Sequence, residues 1–340
     1  MTSLRGNSMK IGISNMRAPG ASWKDTLRIA KLAEELGYSC ITTGEAWGED
    51  AFTSLAQVAA VTERIRIGTS IVPVFARTPS NIAMTALNMD KMSEGRFFLG
   101  LGASGKLVIE DFHGEQFSKP LSRMREYISV IRMAAAGERL NHDGEFFKLQ
   151  RFRIRFQPYR SHLPIYIASL TPASLRMTGE LADGWMPIFL APSRMEPLIA
   201  DIEEGAKSAG RSLDDLSICP QVSIYVTDDI EEGRNRERPH IAFYIGGMGV
   251  FYHQYMHRIG FGEEADRVRG AYMDRERELA ASLVTDEMVD ATTIIGTPGQ
   301  CREQMQTFFD AGVDEIRLVL NEPDLDSYTE VIRAVAPANA

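Results

Sequence analysis

The sequence predicts an α/β protein whose parallel sheet closes into a (β/α)8 TIM barrel, and three observations carry that expectation. Short β-rich runs alternate with longer amphipathic stretches along nearly the whole chain. Most of the runs are continuously apolar, as strands covered by helices on both faces must be. Eight such runs are present, which is the number a barrel of this kind needs to close, although an open doubly wound sheet leaves a similar trace. A length of 340 residues fits one such unit.

The strand candidates are 11–14, 40–43, 65–70, 97–101, 165–168, 184–187, 217–226 and 315–320. The first helix follows Ser22, which can cap it, and stops at Gly37. Leu27, Ala30, Leu32, Ala33 and Leu36 form its apolar stripe. Further helices are expected at 50–62, 79–92, 121–136, 172–182 and 298–311, and proline opens three of them. Two regions break the rhythm. Residues 102–120 form a long polar and aromatic loop after the fourth strand, and 228–292 read as a Met- and Tyr-rich helical insertion before the last strand. Segments that long in a compact fold usually carry function or an oligomer surface. Residues 1–8 read as a short disordered leader without the apolar stretch of a secretory signal, and 9–340 as a single domain.

Composition narrows the function classes. Apolar residues make up 44% and charged residues 24%, ordinary values for a globular protein with a sizeable core. Cys40, Cys219 and Cys301 are far apart and form no CxxC pair, which suits a reducing, cytoplasmic setting and argues against a disulfide framework or a structural zinc site. A formal net charge of −9 without a long basic run excludes the footprint of a nucleic-acid binder. No run of about eighteen apolar residues is present to span a membrane.

Gly100-Leu101-Gly102-Ala103-Ser104-Gly105 is formally a GxGxxG directly after a strand. In a dinucleotide-binding domain it would cradle a pyrophosphate at a helix N-terminus. Here it follows the fourth strand, the residues after Gly105 open no convincing helix, and Glu126 stands inside an amphipathic helix where a ribose-binding acid should end a strand. A glycine-lined loop at a strand end still lets a flat ring approach the backbone closely.

The ordered set of segments has a family resemblance. The first runs Ile65-Arg66-Ile67-Gly68-Thr69-Ser70-Ile71-Val72-Pro73, then Arg77-Thr78-Pro79, then Leu87 to Gly102 with Ser93-Glu94-Gly95-Arg96 at its centre. The second is Pro164-Ile165-Tyr166-Ile167-Ala168-Ser169, followed by Gly179-Glu180-Leu181-Ala182-Asp183-Gly184-Trp185. Together they resemble the luciferase-like monooxygenase family. Gly44 to Phe52, Gly102 to Gly105 and Phe112-His113-Gly114 resemble its branch that uses the deazaflavin coenzyme F420, the methylenetetrahydromethanopterin-reductase-like enzymes.

The resemblance implies an oxidoreductase that moves hydride between coenzyme F420 and a small organic substrate, working in the cytoplasm as a homodimer. It implies a non-prolyl cis peptide or bulge at Ser70-Ile71 behind the ring, with Gly102, Ala103 and Ser104 bordering it. Coenzyme phosphate would sit on the backbone of Ala168, Ser169, Leu170 and Thr171, with support from Ile188. Independently of the family, Ser169 and Thr171 precede a proline-started helix whose free N–H groups favour an anion, although Thr171 could also simply cap it. Glu45 and Trp47, at the end of the second strand, would face the reactive edge as the catalytic candidates, and His113 would contact coenzyme or substrate or else hold its loop.

Two departures bear on direction. The family's dehydrogenases carry a histidine after the strand-two acid and a carboxylate after the strand-four glycine. Here those places are Ala46 and Ala103. Oxidising an alcohol needs a base for the hydroxyl proton, so reduction is favoured. The alternatives are an FMN-dependent monooxygenase fed by a partner flavin reductase, and a non-catalytic flavin-binding relative. His253 and His257 have a helical spacing that suits zinc, but no third ligand is evident and Tyr252, Tyr255 and Met256 suggest a partner-facing helix, so no metal is expected. Residues 151–156 alternate cation with apolar residue, as a half-solvated strand would.

Overall fold

Parallel pairing organises the chain in this computed structural model, which describes residues 9–337. The leader expected at 1–8 lies outside the described residues. The strands are β1 (Ile11–Ser14), β2 (Cys40–Thr43), β3 (Arg66–Thr69), β4 (Val72–Pro73), β5 (Phe97–Gly102), β6 (Leu140–Asp143), β7 (Lys148–Phe152), β8 (Ile165–Ile167), β9 (Gly184–Trp185), β10 (Ser217–Ile218), β11 (Gln221–Val226), β12 (Ile294–Gly296) and β13 (Ile316–Leu320). Their order in the curled main sheet is β10-β9-β8-β5-β3-β2-β1-β13-β11-β12, with β4 also on β5. Every pairing in it is parallel, and the helices between the strands cover its outer face, where Ile11, Ile13, Ile41 and Ile67 are buried.

Local chemistry places the helices where expected. Ser22 caps Trp23–Glu35 in a capping box, Asp50 caps Ala51–Val61, and Thr78, Thr171 and Thr297 cap the proline-started helices Pro79–Met92, Pro172–Leu181 and Pro298–Asp310. The expected strand 217–226 is broken at Cys219 and Pro220 into β10 and β11. Bonding continues across the break, since Cys219 N donates to Trp185 O, Gln221 N to Pro187 O and Arg317 N to Pro220 O. The run at 151–156 is corrected. Its strand is Lys148–Phe152, paired antiparallel with β6 outside the main sheet, and Arg151 is left-handed at φ 70°, so the strand ends before 153–156. The carboxylate of Glu126 anchors that hairpin by accepting from the amides of Glu145, Phe146 and Phe147.

The inside of the curled sheet carries a polar network that runs from the amino ends of its strands up to Ser14 and Ser70 at the carboxyl ends of β1 and β3. Arg66 meets Glu315 at 2.5 Å, and Ser39 donates to the same carboxylate. Arg317, fully buried, donates to the carbonyl of Cys219 at 2.9 and 3.1 Å and to the Ser70 hydroxyl. Ser14 and Ser70 both donate to Gln221, at 2.8 and 3.2 Å. Burial alone would raise the Glu315 carboxyl, but Arg66 and the Ser39 hydroxyl hold it below its ordinary value. After β11 come five helices, Ile230–Gly247, Phe251–Arg258, Gly262–Met273, Arg277–Ser282 and Asp286–Thr292. Tyr255 and Met256 are buried here, with the Tyr255 hydroxyl on Phe189 O at 3.0 Å, so the helix expected to face a partner packs its aromatics inward.

Candidate active site

A cavity of about 450 Å³ opens at the carboxyl ends of β4, β5, β8 and β9. One wall is Ile71 with Gly102, Ala103, Ser104 and Gly105, and the next is Ala168, Ser169, Leu170 and Thr171 with Pro187 and Ile188. The peptide Ser70-Ile71 is cis, and it sets the Ile71 side chain against Gly102. A Cβ on Gly102 would lie 2.6 Å from Ile71 Cδ1, so glycine is what allows the two strand ends to approach.

The loop from Ser169 into the helix Pro172–Leu181 has spare hydrogen-bonding capacity. Thr171 accepts from the Ser174 amide, and Ser174 returns the bond to the Thr171 amide at 2.9 Å. The Ser169 hydroxyl turns away to Thr178 at 2.8 Å, and its carbonyl accepts from Trp185 Nε1 at 3.0 Å. The amides of Ser169, Leu170 and Ala173 have no partner among the described residues. Such amides, at a helix N-terminus beside a cavity, favour an anion without any cationic side chain. The nearby Arg258 is already held by Asp201 at 2.6 Å.

Four of the sequence-derived site residues stand apart from the cavity lining. Ser70 lies below it, its hydroxyl taken by Arg317 and Gln221. His113 follows a helical turn at Val108–Phe112 of π type, which corrects the expectation that no helix follows Gly105. Its Nε2 is buried without a partner among the described residues, and its ring meets Phe112 edge-on. Glu45 is bound through its amide to Ile71 O at 2.9 Å, but its carboxylate accepts from Arg77 and from the Ala51 amide at 3.1 Å. Arg77 also meets Asp50 at 2.5 Å. Trp47 is 55% exposed.

The remaining walls come from residues that sequence reasoning did not assign to the site; Tyr252 among them was expected on a partner-facing helix. Phe117 and the turn into the helix Pro120–Ala135 close one side, through Lys119, Leu121 and Met124. Met248, Phe251 and Tyr252 roof it from the helices after β11. The signal was the aromatic density of both irregular segments, which points to a wall but not to which cavity. Among the described residues, neither a histidine nor a carboxylate lines the cavity. The one cationic group in the lining among the described residues, Lys119, is mostly exposed and paired with Glu145. Burial pushes the Tyr252 phenol well above its ordinary value, so it stays protonated at neutral pH.

Known proteins resemble this chain in sequence and fold. The family model for luciferase-like monooxygenases matches residues 6–315. A Mycobacterium tuberculosis protein, provisionally named a coenzyme F420-dependent oxidoreductase, is 35% identical over 304 residues, covering 84% of this chain and 87% of its own. The 5,10-methylenetetrahydromethanopterin reductase of Archaeoglobus fulgidus is 29% identical over 314 residues, covering 91% and 92%. The solved structure of the F420-dependent tetrahydromethanopterin reductase from Methanopyrus kandleri superposes with a TM-score of 0.81 at 23% identity, over 96% of this chain and 98% of that one. With its family model matched over most of its length and its sheet matched in space, the chain belongs to the luciferase-like monooxygenase family.

Proposed function

We propose that the protein is an F420-dependent reductase acting on a small, largely apolar organic substrate. One observation carries this reading: the cavity pairs a glycine-lined, sterically open wall at Gly102 with unpartnered amides at Ser169, Leu170 and Ala173. A flat ring fits against Ile71 and Gly102, and a phosphate fits the amides. The relatives' names support F420 as the coenzyme. When bound, reduced F420 supplies a hydride. The chain's part is to orient and to exclude water: Met124, Met248 and Phe251 enclose the acceptor, and orientation is the main source of acceleration for such a step. Tyr252, kept a neutral phenol by burial, can donate a hydrogen bond to the acceptor but is a poor source of the proton itself. The absence of a carboxylate or imidazole from that lining supports reduction over alcohol oxidation.

Barrel closure belongs to the same reading. The bonds from Cys219 and Gln221 to the β9 end on one side, and from Arg317 on the other, support β10 and β11 acting as one seventh strand of an eight-stranded ring. Residues 9–337 then form one domain with the helices at 228–292 as its insertion, and the proposal extends to a homodimer. No helix is long and apolar enough to cross a membrane among the described residues.

Fluorescence titration of the purified protein against F420 and FMN tests this. F420 is expected to bind and FMN not, and Gly102→Ala is expected to weaken F420 at least tenfold, about 1.4 kcal/mol. Tight binding of FMN without F420 overturns the reading in favour of the monooxygenase, and binding of neither by a folded sample leaves a non-catalytic relative.

A further inference from the structure

Outside the cavity, the structure supplies what the His253/His257 pair lacked in the sequence. The helix Phe251–Arg258 presents both imidazoles on one face, with ring centroids 4.8 Å apart. Asp266, on the next helix Gly262–Met273, brings one carboxylate oxygen to both: 2.7 Å from His253 Nε2 and 2.9 Å from His257 Nε2. All three ligand atoms lie within 4.8 Å of one another. Gly262 makes this convergence possible, because a Cβ there would lie 2.6 Å from His257 Nδ1. Glycine lets the imidazole stand over the first turn of the helix that carries Asp266, one turn further along. The contrast with other histidines is informative. His142, His162 and His240 each meet a carboxylate singly, on Glu126, Asp183 and Glu237.

We propose that His253, His257 and Asp266 form a binding site for a divalent late transition ion, with zinc as the best fit. Two imidazoles four apart on a helix with one carboxylate are the donor set zinc takes, and water completes the tetrahedron at this exposed position. Metal–ligand bonds of about 2.0–2.1 Å at tetrahedral angles set ligand atoms about 3.3 Å apart, so the present contacts open by roughly half an ångström on binding. Each Nε2 must offer its lone pair to the ion, so on binding the ring hydrogen stands on Nδ1. The ion would clamp Phe251–Arg258 to Gly262–Met273. Phe251 and Tyr252, immediately before His253, are part of the cavity roof, so the clamp fixes the segment that encloses the substrate. Cys40, Cys219 and Cys301 are buried and offer no competing ligands.

The test is calorimetric titration of tag-free full-length protein with zinc chloride, alongside the visible absorption of cobalt(II) added in its place. One ion per chain is expected, with tetrahedral cobalt bands and an upward shift in Tm on zinc addition. His253→Ala, His257→Ala and Asp266→Asn are each expected to weaken binding at least tenfold and abolish the Tm shift, with circular dichroism unchanged. Gly262→Ala, which leaves all three ligands in place, is expected to weaken it less. Saturable binding that persists undiminished in all three ligand variants, or no saturable binding by the wild type, overturns the proposal.

Discussion

The inside of the curled sheet holds two unlike regions stacked one above the other. From the strand amino ends upward, Arg66 and Ser39 bond to Glu315, while Arg317 bonds to the Cys219 carbonyl and to the Ser70 hydroxyl, which in turn reaches Gln221. At the carboxyl ends, the cavity is lined mainly by apolar side chains and glycine, and its unused polar capacity is backbone. The group Glu45–Arg77–Asp50 belongs with the first region in character although it sits level with the second. The difference separates charge that holds the fold from geometry that holds a ligand. A charge already bonded to its neighbours has little left for a substrate, whereas open amides beside an apolar wall do.

The sharpest way to break that division is at its floor. Glu315→Gln leaves the half-buried Arg66 guanidinium against a neutral amide; only the carboxylate side of the pair is buried, so the loss is expected at or just below the lower end of what breaking a buried pair costs, about 3 kcal/mol. The loss is expected in urea denaturation with little change in coenzyme affinity of the folded fraction. A companion effect concerns acid. Because the folded Glu315 carboxyl titrates below its ordinary 4.5, its contribution is present above that pH and is lost as pH falls through the lower folded value. The acid limb of the stability curve should therefore be shallower in Glu315→Gln than in the wild type. An unchanged limb would show that the pair contributes no pH dependence.

Glu45 tests whether the division reaches the mouth. Glu45→Gln weakens the bonds to Arg77 and the Ala51 amide, and charge-assisted bonds of this sort contribute about 1.5–3 kcal/mol. The expected result is a fall in stability with F420 affinity and turnover largely kept by the folded enzyme. A collapse of turnover at unchanged stability would make Glu45 a base and place it with the cavity instead.

The legibility of the sequence follows the same line. Apolar runs and capping residues such as Ser22, Asp50 and Thr171 marked the strands and helices because those signals are local. β12 escaped because Ile294-Ile295-Gly296 is too short a run to stand out, and the break at Cys219-Pro220 escaped because both halves keep pairing. At the site, Gly102 and the Ser169–Thr171 loop were legible because glycine and helix starts have meaning on their own. The bond between Glu45 and Arg77, 32 positions apart, is set by tertiary packing, and so are Met248 and Tyr252 over the cavity. Asp266 is the plainest case: no periodicity connects it to His253, yet the turn between the two helices brings them together.

The smallest expected effect divides capping from binding at Thr171. Its side chain accepts from the Ser174 amide, and it also lines the cavity. Thr171→Ala removes that acceptor, which costs about 1 kcal/mol for a typical N-cap. The amides of Ser169 and Leu170 lie before the helix and belong to the backbone, so the substitution leaves them in place. If the anion site is built from those amides, stability falls by the capping amount while F420 affinity changes by no more than about threefold, well under the 1.4 kcal/mol of a tenfold loss. If affinity falls much further than stability, the hydroxyl itself touches the anion, and a side chain joins the backbone in holding it.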